Sequence, residues 1–470
     1  MKKLLLAVAL FPLLLYGSQS KISVKIDPRV ELMSIAFRLA GATEYSSKDN
    51  PAYIKDIEEH FKTYENDTLI RYVKYLRDRT LIGYDAVMTM AISLQGKGGE
   101  YTLPSTDKAI GLLYDNTGRW NKWNAPEFIR LFNEFYIKSD FDSFFKSHKK
   151  YYNALVHKFN KEINLDSRWF SGFYGIDTGD KFHVIIAPSC GRSNYGPHTY
   201  DESGVKNVYA VISVYNFEED GSPTFLHQGE IVIHEINHSY INPLTELTGI
   251  VSQLKYSGGK IMEVVGEDMK MQAYDNFRTV INESLVRAAV IRYMKNKAFP
   301  SEDIENEIIS QKSLAYYWIE GLDSLYEEYD NHRDKYPDMQ SFYPHIKDYF
   351  EEVAQNIIQM RDDFYSKAPS VVEVSPYIDQ QNKVSPSIEY IDVRLSSPVK
   401  KEAGVVWLVV KQGGEDAFAS VRLKSNDTVR FNLKLLPDTD YHFHIRGFLP
   451  ATKDGYFIKP YDLYFSTGTM

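Results

Sequence analysis

At 470 residues, 43% hydrophobic and 25% charged, the chain has the composition of a soluble globular protein and the length for two or three domains, each able to bury a core. Its formal net charge of −9, with no arginine-rich or basic-aromatic stripe, argues against nucleic acid as a partner. A single cysteine, Cys190, rules out a disulfide within the chain, so folding rests on packing alone.

The first element is a targeting segment. Lys2 and Lys3 precede a short apolar run from Leu4 to Tyr16, and small residues follow at Gly17, Ser18 and Ser20. This reads as a secretory signal peptide over residues 1–20, too short to span a membrane and with no following cysteine for a lipid anchor. The mature protein is therefore expected to be secreted, periplasmic or on the cell surface, with no transmembrane segment.

From there to about Ser366 helices dominate. DPRVELMSIAFRLAG places Asp27 as N-cap, Pro28 in the first turn, apolar residues at Val30, Met33, Phe37 and Ala40, and Gly41 as the stop. NPAYIKDIEEHFKTY, LIRYVKYLRDR, APEFIRLFNEFYIK and SFFKSHKKYYNALVHKFNKEI read the same way. KFHVIIAPS (181–189) and NVYAVISVYNF (207–217) are β-branched and aromatic runs bounded by Gly, Asn and Asp, and are predicted strands. CGRSNYGPHTYDESG between them is predicted loop, and FEEDGSP a solvated hairpin turn. Helices resume at HQGEIVIHEINHSYIN, GKIMEVVGEDMKMQAYDNF and RTVINESLVRAAVIRYMKNK. From Pro369 the texture changes to short alternating runs, from SVVEVSP to DLYFST, which read as an all-β sandwich.

The chemistry concentrates in GEIVIHEINHSYINP. His234 and His238 stand at i and i+4 on one helix face, close enough for both imidazoles to reach one ion. Glu235 is offset by about 100°, so it borders that ion and is placed to act as a base toward a water. The plain alternative is an ordinary helix with Ile231, Ile236 and Tyr240 facing a core, but two unpartnered histidines on one face fit that poorly. A closed set needs a third ligand. Glu283, flanked by Ile281, Leu285 and Val286, is placed to point inward, and a buried carboxylate needs a cation. That cation is either the ion or Arg287 one turn on, and the two can coexist with Arg287 supporting the ligand. His442 and His444 alternate on a predicted tail strand and read as surface histidines.

HEINH followed by NESLVRA resembles the gluzincin zinc metallopeptidases, whose thermolysin-like members carry a histidine pair on one helix and an Asn-Glu motif on a later one. The resemblance implies Zn2+ held by His234, His238 and Glu283. Glu235 would be the general base, taking a proton from the attacking water and passing it to the leaving amine. His198, Tyr200, Tyr274 and Arg287 are the candidates for stabilising the transition state or supporting the ligands. The pattern departs from the thermolysin-like one after Glu283, where Leu285, Val286 and Arg287 replace the usual supporting aspartate region. Asp275 or a backbone carbonyl is left to orient the first histidine. The longer set DPRVELMSIAFRLAG, HEINHSYINP and QAYDNFRTVINESLVRA resembles an exported Bacteroides-type family catalogued as domain of unknown function 4932. The tail resembles a bacterial immunoglobulin-like domain through PSVVEVSPYIDQQNKVSPSIEYIDVRLSSPVK and LLPDTDYHFHIRG.

The fold is therefore expected to be α+β: a largely helical zincin-like metallopeptidase domain with a small β-sheet over residues 21–368, then an all-β immunoglobulin-like sandwich over 369–470. One function that fits is a zinc metallopeptidase acting on a peptide or protein substrate, with the strand at 207–217, if it lies at a sheet edge, holding an extended peptide by strand addition. The other is an exported binding or adhesion protein with a structural or vestigial zinc site. Glu235 favours the enzyme, because a purely structural site has no use for a base.

Overall fold

The computed structural model describes residues 22–114, 118–218, 220–226, 228–402 and 404–469. The expected signal peptide at 1–20 lies outside them. The chain packs as two compact units, one up to Tyr240 and one from Ile241 onward. It is mixed α and β, with helices dominating the first three quarters and strands the end.

In the first unit a four-stranded sheet is flanked by helices. Its strands are β1 (Ser23–Lys25), β2 (Lys181–Ala187), β3 (His198–Tyr200) and β4 (Lys206–Ser213), in the order β1-β2-β4-β3. β1, β2 and β4 run parallel, and β3 runs antiparallel at one edge. β2 and β4 are buried on both faces along most of their length, which is why they read as unbroken apolar runs. The helix Pro28–Leu39 starts as its sequence predicts. Asp27 accepts the Arg29 backbone N–H at 3.0 Å and grips the Arg29 guanidinium at 2.9 and 2.7 Å. Burial works against the Asp27 carboxylate, but Arg29 outweighs it and holds the group down to about 2.

Three expectations change here. The segment predicted as loop between the long strands contains β3, three residues between Pro197 and Asp201 and too short for alternation to show. β4 is paired on both sides, so the edge strand is β3 and not the 207–217 run. The helical stretch from Phe141 to Glu162 is two helices broken at His148, whose ring Nδ1 bonds the Phe144 carbonyl at 2.9 Å. The hairpin expected at FEEDGSP forms, with the Gly221 N–H bonded to the Glu218 carbonyl at 2.9 Å.

After the short helix Ile250–Gln253, the second unit continues with helices at Lys255–Met271, Phe277–Asn296, Ser301–Ser313, Ile319–Asn331 and Met339–Tyr365. The first of these stops short of its predicted end near Phe277. Ala273 adopts a φ of 66°, and Asn276 caps the next helix by accepting the Thr279 N–H at 3.0 Å. After Pro369 come eight strands in two four-stranded sheets. One is β5 (Val371–Ser375), β7 (Tyr390–Leu395), β10 (Thr428–Leu433) and β9 (Phe418–Leu423), in that spatial order. The other is β6 (Gln381–Val384), β12 (Tyr461–Thr467), β11 (Asp440–Arg446) and β8 (Trp407–Gln412). Ile391, Phe431, Phe443, Ile445 and Leu463 from both sheets meet in one core. β6 was not expected: QNKV is polar and carries no apolar alternation. Inside this unit Phe364, at the end of the last helix, stacks on Tyr456 of the strand region, with ring centroids 5.3 Å apart.

Glu31 and Cys190 are among the buried titratable groups of the first unit. Glu31 is fully buried; it accepts the Tyr53 hydroxyl at 2.6 Å, and Tyr53 shares a second 2.6 Å bond with Tyr152. Burial pushes its carboxyl up to about 7, against the lowering effect of Tyr53. The folded state therefore prefers the protonated acid. Its contribution to stability is intact below an ordinary glutamate value and is lost as pH rises toward 7. Relative to Glu31→Gln, the parent is expected to lose about 3 kcal/mol of unfolding free energy between pH 4.5 and 7.5. Parallel denaturation curves of the two proteins with matching pH profiles would contradict this. Cys190 is also fully buried, and burial pushes its thiol up to about 12. It should not react with a thiol-specific dye until the protein unfolds, and reducing agent should leave Tm unchanged.

Candidate metal centre

The helix Gly229–Thr248 carries HEINH. Glu230 in its first turn complements the positive end of the helix dipole. Val232, Ile233, Ile236 and Tyr240 are buried. The helix is pinned from the short helix Ser167–Tyr174. The Tyr174 hydroxyl donates to the Asn237 side-chain oxygen at 2.8 Å, and the Tyr174 ring stacks on Tyr240 at 4.7 Å and 10°. Two contacts three residues apart fix the rotation of the helix about its axis, and with it the direction of the histidines. Sequence reading did not single out Tyr174 or Asn237; a tyrosine in an aromatic run carries no local sign of such a partner.

His234 and His238 face each other as their spacing predicts. Their Nε2 atoms are 3.1 Å apart and their rings meet edge to face. One ligand atom from each, with one carboxylate oxygen of Glu283, forms a group within 4.8 Å. Nitrogen ligands at about 2.0–2.1 Å on a tetrahedral ion are separated by about 3.3 Å, so the imidazole pair has the bite such an ion needs. The donor set of two imidazoles and a carboxylate suits a borderline divalent metal. The residues present therefore could hold a divalent metal ion.

Glu283 is 6% exposed, on the helix Phe277–Asn296. Arg287 reaches it with Nη2 at 3.1 Å and Nε at 3.3 Å. Arg287 in turn donates to Gln311 Oε1 at 2.6 Å and to the Tyr274 hydroxyl at 3.4 Å, and its guanidinium lies 4.8 Å from the centre of the Tyr316 ring. Arg287 thus pairs the carboxylate as expected, and one oxygen of the same carboxylate belongs to the group that could hold a metal. Tyr274 joins this network, its hydroxyl pKa raised by burial and by Glu283. Gln311 and Tyr316 were not foreseen. Asp275 is exposed and accepts the Asn276 side-chain amide at 2.8 Å.

Glu235 has a neighbour that sequence reading also missed. A Cβ added to Gly196 would fall 1.6 Å from Glu235 Oε2. The chain just before edge strand β3 therefore lies directly on this carboxylate, and a side chain at 196 would make the carboxylate turn aside. β3 carries His198 and Tyr200, two residues apart and so on one face. Burial, with the nearby Lys206 charge, lowers the His198 imidazole to about 4, so it is neutral at physiological pH. The Lys108 ammonium sits 3.7 Å above the Tyr200 ring. In the tail, His442 Nε2 and His444 Nδ1 both bond Asp462 Oδ1, at 2.7 and 2.9 Å.

A family described as Domain of unknown function (DUF4932) matches residues 22–349. The chain belongs to it. The DUF4932 match takes in the sheet β1–β4, the histidine helix and the Glu283 helix, and ends before the tail strands. No curated protein matches the chain. Among solved structures, the N-terminal part of the bacterial S-layer protein SbsC is 13% identical over 54% of this chain and 61% of that one, with a TM-score of 0.15. Domains 1–6 of surface layer protein SbsC are 17% identical over 50% of this chain and 33% of that one, with a TM-score of 0.16. Among the described residues no helix is long and apolar enough to cross a membrane.

The ligand assignment has a direct test. Glu283→Ala removes one donor, so metal content after dialysis should fall well below that of the parent, and the rise in Tm on adding zinc should shrink. Zinc bound as tightly by the variant as by the parent would place the third ligand elsewhere.

Proposed function

We propose that this DUF4932 protein is an exported zinc-dependent metallopeptidase of gluzincin type, with a zincin-like catalytic domain and an immunoglobulin-like tail. The observation that carries the reading is the convergence of His234, His238 and Glu283 on one point, with Glu235 next to the first ligand and pressed against the edge of the sheet through Gly196.

Held by these three residues, zinc would supply Lewis acidity to a water molecule and to the scissile carbonyl. The remaining work falls to the chain. Glu235 accepts a proton as the water oxygen bonds the carbonyl carbon, and returns it to the amide nitrogen as the C–N bond breaks, leaving an acid and an amine. Arg287 and Tyr274 are engaged with Glu283, so their part is to hold the ligand carboxylate aimed. His198 is the better candidate to donate a hydrogen bond to the developing oxyanion, since it is neutral and stands on the edge strand next to the chain that touches Glu235. Among the described residues β3 ends the sheet on its side, and an extended peptide could pair there.

Glu235→Gln keeps all three ligands. It should retain zinc at the parent level while hydrolysis of a peptide library falls by about 10²–10⁴-fold. Equal activity in the variant would remove Glu235 from the mechanism. Normal zinc binding with no cleavage by the parent across the library would favour the alternative, an exported binding or adhesion protein with a structural zinc site.

A further inference from the structure

We propose that Lys108 and Lys206, beside the end of edge strand β3 that lies away from Gly196, form a site for an acidic side chain of the substrate several residues from the bond cleaved. This rests on the metallopeptidase reading and names its substrate class as acidic peptides.

Strand register brings the two lysines together. Tyr200, the last residue of β3, stands opposite Lys206 of β4, and His198 stands opposite Val208. Directly opposed residues of an antiparallel pair share a face, and so do residues two apart on one strand. His198, Tyr200 and Lys206 are therefore on one face of the sheet, and the His198 and Tyr200 rings meet edge to face at 6.1 Å. The helix Asp107–Leu113 adds Lys108, whose ammonium lies 3.7 Å from the centre of the Tyr200 ring. The ring thus holds one cation in place near a second.

The charges there do not cancel. Among the described residues neither Lys108 nor Lys206 closes an ion pair, whereas Lys181 beside them is taken by Asp201 at 3.0 Å. Asp180 feels both ammoniums, and Asp177 beyond it accepts the Gly179 N–H at 2.9 Å. Burial lowers the Lys206 pKa, Asp180 opposes that, and the Lys108 charge adds to it. A carboxylate arriving between the lysines relieves their repulsion and gains a charge-assisted hydrogen bond from each. The chain as a whole carries a net charge of −9, so its average surface repels an acidic peptide and local cations decide where one docks.

Position ties this pair to the chemistry. Gly196 lies against Glu235 Oε2, and Tyr200 follows four residues on, about 13 Å away at about 3.3 Å per extended residue. A peptide laid along β3 with its cleaved carbonyl at Glu235 therefore has a residue about four positions away beside Tyr200, with its side chain on the same face of the strand as the one nearest the bond.

The test uses the full chain with zinc and a peptide set varied one position at a time on both sides of the cleaved bond. At one position about three to five residues from that bond, kcat/KM should be about tenfold higher for Glu than for Gln, with the difference carried by KM. Lys108→Gln and Lys206→Gln should each cut that ratio about three- to fivefold, and the double variant should bring it near one. A lysine with a purely structural role would instead slow Glu and Gln peptides alike and keep the ratio. Lys108 is exposed, so Lys108→Gln reads the site even where a change at Lys206 prevents folding. A parent ratio near one at every position, or an unchanged ratio in a folded, zinc-loaded variant, overturns the proposal and leaves the peptidase reading standing. If the parent cleaves nothing, binding of acetyl-triglutamate amide to the parent and to the variants decides separately. Binding that Lys108→Gln weakens about three- to fivefold, and the double variant about tenfold or more, keeps the acidic-peptide site while the peptidase reading fails. No binding to the parent, or equal binding to parent and variants, overturns the site as well.

Discussion

A carboxylate withdrawn from water is the constraint around which the Glu283 helix is organised. Leaving such a charge unpaired costs several kcal/mol, and Glu283 is 6% exposed amid Val280, Ile281, Leu285 and Val286, all fully buried. The chain answers with Arg287 one turn on. That answer creates a second demand, because a guanidinium in the interior needs partners of its own. Gln311 comes from the helix Ser301–Ser313, Tyr316 from the turn that follows it, and Tyr274 from the interruption between two helices. Pairing this one carboxylate thus draws in three further segments, with Tyr274 supplied by the break that follows the helix from Lys255 to Met271.

The histidine helix meets a different demand. Two imidazoles four residues apart share a direction automatically, but the helix as a whole is free to roll unless its other faces are specified. Ile233 and Ile236 supply burial without direction, since any apolar neighbour satisfies them. Asn237 supplies direction, because a buried amide oxygen accepting the Tyr174 hydroxyl has few geometries open to it. The Tyr174–Tyr240 stack repeats the constraint one turn further along. The 3.1 Å separation of the two Nε2 atoms is thus supported by packing on the far side of the helix.

What could be read from residues alone follows the range of the interaction. Contacts of three or four residues were legible: the His234–His238 pair, Glu283 with Arg287, Asp27 capping the helix that Pro28 opens. So were long patterned runs such as β2, β4 and the core strands of the tail. Features that depend on residues far apart were not. Nothing in GRSNYGPHTY marks three residues as a strand, because β3 exists only through its pairing with β4. The polar QNKV becomes β6 only because β12 runs beside it. The break at His148 lies within a run whose helical periodicity is continuous, and the ring's partner Asp56, at 3.1 Å, stands 92 residues earlier.

Gly196 is the clearest case of a residue whose meaning is set entirely by what faces it. A glycine before a proline reads as turn chemistry, and its backbone is not in the region that demands glycine, since no positive φ is recorded there. What marks it is space: a methyl there would meet the Glu235 carboxylate and displace the end of that side chain. The same residue also lines a cleft with Ala86, Leu112, Leu113 and Trp120. A change that moves the chain at 196 therefore touches the surroundings of the Glu235 carboxylate and of that cleft together.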